Sequence, residues 1–131
     1  MGLDNGIQIR RNKVAMSIYD KIKCFEQEWA KPYEYDFEIC YWRKCYNIRS
    51  LIFNCIGSCN NDGEIPIQRE DIPKIIEILK SLNSKNWEDE GSSIWTYEEQ
   101  KPHIKQQIKN LKRVYRLMDK YDLEVYFYDS Y

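Results

Sequence analysis

Hydrophobic positions recur at steps of three and four through residues 35–56, YDFEICYWRKCYNIRSLIFNCI. Phe37, Tyr41, Lys44/Cys45, Ile48, Leu51/Ile52 and Cys55 share one side of a helical wheel. That spacing predicts a half-buried α-helix from about residue 36, with Gly57 as its stop. Arg43, Asn47, Ser50 and Asn54 form a polar row on the opposite side. Between them lies a flank of Trp42, Tyr46, Arg49 and Phe53. An arginine beside aromatic rings can stack on them and still fork onto a carboxylate or phosphate. The plainer reading is that the aromatics pack while Arg43 and Arg49 are solvated.

The rest of the pattern alternates short strands with amphipathic helices. Residues 6–10 alternate, with Ile7 and Ile9 on one face, and predict a first strand. Arg11-Asn12 reads as a turn and residues 14–19 as a returning strand, although Ala15, Met16 and Lys21-Ile22-Lys23 also suit a short helix. Residues 20–34 read as a loop with at most one helical turn, because Lys31-Pro32 blocks continuation. Glu64–Ile67 reads as an edge strand, since Pro66 has no N–H to donate. Ile72, Ile75, Ile76, Leu79 and Leu82 mark a second helix. Residues 83–93 are a polar, acidic loop. Thr96 and Glu99 form a capping-box signature for a third helix, with Pro102 awkward near its start. Ile104, Ile108, Leu111, Tyr115 and Met118 give that helix its apolar stripe, and LEVYFY at 123–128 reads as a closing strand. The order predicts one α+β domain over residues 1–131: a small, mostly antiparallel sheet of three or four strands against three α-helices.

Charge changes the picture at the third helix. Lys101, Lys105, Lys109, Lys112, Arg113, Arg116 and Lys120 fall within a sector of roughly 120 degrees beside the apolar stripe. No acidic residue occurs from Gln100 to Met118, although the chain as a whole carries a formal charge of −1. The asymmetry predicts either a solvated helix face or a docking face for an anionic partner. Nucleic acid is the less favoured such partner, because binders of this size are usually basic overall.

Composition narrows the class further. At 131 residues the chain can bury about two-thirds of its unfolded surface in one core. Eleven Tyr and four Trp favour strands and amphipathic contact surfaces. No apolar run approaches the roughly 18–20 residues of a membrane span, and the start lacks the basic and apolar segments of a signal peptide. Five cysteines, an odd number, then point to free thiols in a reducing cytoplasm. Cys40-x4-Cys45 and Cys55-x3-Cys59 do not have zinc-knuckle spacing, so no metal or cofactor is expected. The single His103 has no nearby nucleophile or orienting carboxylate, and no glycine-rich phosphate loop is present. The reading is therefore a binding protein rather than an enzyme. A small enzyme acting on a phosphorylated ligand would instead gather Asp4, Arg43 and His103 in one pocket.

The opening Met1-Gly2-Leu3-Asp4, the run Tyr41-Trp42-Arg43-Lys44 with Ile48 after it, and the aromatic closing strand carry a resemblance. The chain resembles small proteins of unknown function, encoded in bacteriophage and prophage genomes, that open MGLD and carry YWRK. Where those proteins place a His after the Ile, this chain has Arg49, and their closing Ser-Trp is Ser130-Tyr131 here. The resemblance implies an accessory protein in the cytoplasm of a bacterial host, binding a host component and inhibiting an antiviral defence system. Its expected contact residues are Trp42, Arg43, Tyr46 and Arg49. The alternative is a binder of a nucleotide, a phosphorylated small molecule or nucleic acid through Lys105, Lys109, Lys112, Arg113 and Arg116.

Overall fold

In a computed structural model, residues 4–27, 35–57 and 63–130 are described. Four strands, β1 (Asp4–Ile9), β2 (Phe37–Arg43), β3 (Glu64–Ile67) and β4 (Val125–Ser130), form one antiparallel sheet in the order β2-β1-β4-β3. The helices are α1 (Lys13–Ser17), α2 (Tyr19–Ile22), α3 (Tyr46–Ile56), α4 (Asp71–Ser81) and α5 (Tyr97–Met118), with a 3-10 turn at Lys23–Phe25. The fold is thus α+β, with an all-antiparallel sheet.

Side-chain alternation gives the sheet two unlike faces. Ile7 and Ile9 of β1 pair with Cys40 and Phe37 on one side and with Phe127 and Val125 on the other. All of these are buried, together with Ile65 and Ile67 of β3, so this face is the core face. Onto it fold Ile48 and Ile52 of α3, Ile72, Ile75 and Leu79 of α4, and Ile104, Leu111 and Val114 of α5. The opposite face carries Asp4, Gly6 and Gln8, flanked in register by Tyr41 and Glu38 on β2 and by Tyr128 and Tyr126 on β4.

The predicted helix over 36–56 is corrected: its first third is β2, and the helix starts only at Tyr46. The cause is a bulge. Ile7 pairs with Cys40 and Gln8 with Glu38, so Ile39 is an extra residue in β2. Phe37, Ile39, Cys40 and Trp42 are all buried, so the strand's two-residue alternation breaks at Cys40, and Tyr41, which a helix would have buried, is 46 % exposed. Lys44 then turns the chain in the left-handed region (φ 54), and α3 leaves at an angle to β2.

The predicted strand over 14–19 is likewise replaced by α1 and α2. Asn12 is an N-cap rather than a turn: its Oδ1 accepts from the Ala15 N–H at 3.0 Å. The loop expected over 20–34 begins with α2 and the 3-10 turn, and the helical turn considered near Trp29 runs outside the described residues. β3, α4 and α5 lie where the pattern put them, and β4 starts two residues later than expected. The Thr96–Glu99 box is formed in both directions (2.9 and 3.2 Å), and the helix begins five residues before Pro102. The 83–93 loop is anchored by Trp87, whose Nε1 donates to the Trp95 carbonyl at 2.8 Å while its own carbonyl accepts from Asn47. No helix among the described residues is long and apolar enough to cross a membrane.

Candidate functional site

The four residues expected to form a contact flank on one helix are divided between two elements. Trp42 is 1 % exposed, and its Nε1 donates to Gln107 Oε1 of α5 at 2.9 Å. It is a core side chain and presents nothing to a partner. Arg43 is exposed at the end of β2, where its carbonyl accepts from Trp95 Nε1 at 2.9 Å. Tyr46 is half-buried at the start of α3, against Gly91. Arg49 forks onto Asp129 of β4 (2.8–3.1 Å) and lies 4.5 Å from the Phe53 ring centre. The arginine–aromatic pairing read from the sequence exists, and it ties α3 to the sheet.

The cations of α5, by contrast, share one surface. Lys105, Lys109, Lys112, Arg113 and Arg116 are all exposed. The helix is fixed by its other side: Gln107 and Asn110 donate to the carbonyls of Tyr41 (3.3 Å) and Ile39 (2.9 Å), capping the free edge of β2. That anchoring turns the basic sector outward. Lys109, Lys112, Arg113 and Arg116 line a cavity of about 660 Å³ together with Cys24, Phe25 and Glu38. Arg113 and Arg116 also line a second cavity of about 540 Å³ with Lys21, Arg69, Tyr115 and Lys120. Lys105 lies one turn before Lys109 and lines neither.

Apart from Glu38, the charged side chains lining this groove are all cations. Arg113 Nη2 is held by the Lys21 carbonyl at 2.9 Å, which leaves its other N–H groups outward. No ion pair is formed by Lys105, Lys109, Lys112, Arg113 or Arg116 among the described residues. From Lys101 to Arg116 six like-charged pairs stand three or four residues apart. Such pairs cost an isolated helix about 0.2–0.5 kcal/mol each, so together roughly 1–3 kcal/mol before screening. A helix that needed only solubility would intersperse acids. Arginine forks and lysine point charges converging on one hollow are suited to phosphate or carboxylate groups.

Comparison with models of protein families, with curated proteins and with solved structures returned no match. The chemistry is therefore read from the site itself.

A third cavity, about 470 Å³, lies on the open sheet face and was not anticipated from the sequence. Asp4, Gln8, Gln27, Tyr35, Glu38, Tyr41, Tyr128 and Ser130 line it. Tyr41 donates to Asp4 Oδ1 at 2.8 Å and Tyr128 to Glu38 Oε1 at 3.2 Å. Gly6 lets the Tyr128 ring lie over β1: a Cβ there would stand 2.9 Å from that ring and 2.3 Å from the Cys40 carbonyl oxygen. Burial, with the Asp4 hydrogen bond and charge, pushes the Tyr41 hydroxyl up to about 12. Burial also raises the Glu38 carboxyl above its ordinary value, with Asp4 adding to the effect. A sequence signal did exist, in the alternation of polar and tyrosine positions along β2 and β4. Its meaning depended on the cross-strand register.

Proposed function

We propose that this chain is a non-catalytic binding protein that takes a phosphate-bearing partner on the basic groove of α5. One observation carries the reading: four exposed cations converge on a single hollow with no ion-pair partner among the described residues. The resemblance to phage and prophage proteins supplies the context. The partner is a component of the bacterial host, met in the cytoplasm, and the consequence of binding is interference with antiviral defence. Burial of Trp42 and engagement of Arg49 by Asp129 move the expected contact surface away from the YWRK run. A catalytic reading has less support, because the cavity lined by Asp4 contains neither Arg43 nor His103.

The probe is inorganic polyphosphate, a polyanion with no base or sugar. Four engaged cations predict an affinity that falls more than tenfold between about 50 and 200 mM salt, through counterion release. Lys109→Glu with Arg113→Glu should lower the affinity at least tenfold, whereas Arg43→Ala should leave it unchanged. Binding that ignores both salt and the double reversal would refute the reading.

A further inference from the structure

The basic groove and the tyrosine cavity are adjacent, since Glu38 belongs to the walls of both. Glu38 stands on β2, and its carboxylate reaches toward Tyr128 over the open face. On one side of it the lining is Lys109, Lys112 and Arg113; on the other it is Asp4 with three tyrosines. We propose that the two hollows form one site for a nucleoside phosphate, with the phosphate on the α5 cations and the base between the tyrosines and carboxylates. This rests on the phosphate-binding reading above and specifies its ligand.

Three observations select that ligand. First, Tyr41 is 46 % exposed and lines the same cavity as Tyr35 and Tyr128. An exposed aromatic ring beside a cationic groove is the usual stacking platform for a nucleobase. Second, Asp4 and Glu38 receive only tyrosine hydroxyls, and no cation pairs with either among the described residues. An ionised carboxylate only accepts, and it keeps spare lone pairs for N–H donors on a base edge. Third, a bare phosphate has no donor to offer and would leave both carboxylates unused, whereas a base edge carries N–H groups for them. Each hollow is within the size range of small-molecule sites. Half-burial without a counter-charge is also why the Glu38 carboxyl is raised, and N–H donors on a base would relieve it.

The same chemistry has two sources, a free nucleotide or one unit of a single strand. The test is calorimetric titration of the full chain with AMP, GMP, CMP, UMP and ribose 5-phosphate, alongside a single-stranded oligonucleotide of about 12 nucleotides. At least one mononucleotide should bind tenfold or more tighter than ribose 5-phosphate. Asp4→Ala, at a residue that lines the tyrosine cavity and not the basic groove, should remove most of that preference and leave ribose 5-phosphate binding within twofold; its circular dichroism spectrum reports that the fold is kept. An oligonucleotide at least tenfold tighter than the best mononucleotide identifies a strand as the source, and equal affinity identifies the free nucleotide. If every mononucleotide merely equals ribose 5-phosphate, or the preference survives Asp4→Ala, the base site is refuted and phosphate binding stands. If polyphosphate fails as well, both proposals fall.

Discussion

Replacing Trp42 with alanine should destabilise the fold by about 3–5 kcal/mol, measured as a lower denaturant midpoint with an unchanged m-value. The indole is among the largest fully buried side chains, and it fills the space between β2 and α5. Its removal leaves a cavity and also strands the Gln107 amide, which is itself buried. Trp42→Phe separates the two terms. It retains most of the apolar volume and loses the 2.9 Å hydrogen bond, so a cost of about 1–3 kcal/mol is expected from the orphaned amide and the residual void. Adding Gln107→Leu to Trp42→Phe should recover part of that, because the buried Gln107 oxygen is gone while the Tyr41 carbonyl loses its Nε2 donor. If Trp42→Ala cost less than about 1 kcal/mol, the indole would not be a core side chain, and YWRK would again be a candidate contact surface.

The second large effect concerns Arg49 and Asp129. The Asp129 side chain is 8 % exposed, and the Arg49 fork on it joins α3 to the end of β4. Arg49→Leu should cost about 3 kcal/mol, because a nearly buried carboxylate is left without its counter-charge. The magnitude belongs to the orphaned charge rather than to the attraction. Removing both partners, as in Arg49→Leu with Asp129→Leu, should therefore be much milder than either single change. Urea unfolding of the three variants and the parent closes the double-mutant cycle. A double variant as unstable as the sum of the singles would show that the pair is not coupled.

These two residues show where sequence pattern reads true and where it misleads. α5 was legible in full, from the Thr96–Glu99 box to the outward basic sector, because every cue to it is local. β3 and its edge position followed from Pro66, and the α4 stripe from its isoleucines. The strand β2 was hidden by one inserted residue. Cys40 breaks the two-residue alternation that Phe37 and Ile39 start, and Phe37, Tyr41 and Cys45 fall on helical spacing by coincidence. Asn12 was read as a turn because capping and turn formation use the same side-chain chemistry. At the candidate site the cations were legible as a charge pattern, whereas the tyrosine cavity was not. Asp4, Glu38, Tyr41 and Tyr128 come from three strands, and only the register of β1 with β2 and β4 brings them together. The plainer reading left Arg49 solvated, whereas it forks onto a carboxylate beside an aromatic ring. The carboxylate turned out to be the chain's own Asp129.

Which surface holds the phosphate is best tested by mapping amide and side-chain NMR shifts of the isotope-labelled chain during titration with inorganic tripolyphosphate. The proposed groove predicts saturable shifts concentrated at Lys109, Lys112, Arg113 and Arg116, extending to Cys24 and Phe25 across the hollow. Shifts concentrated instead at Arg43, Lys44 and Tyr46, or no saturable shift at low salt, would contradict it.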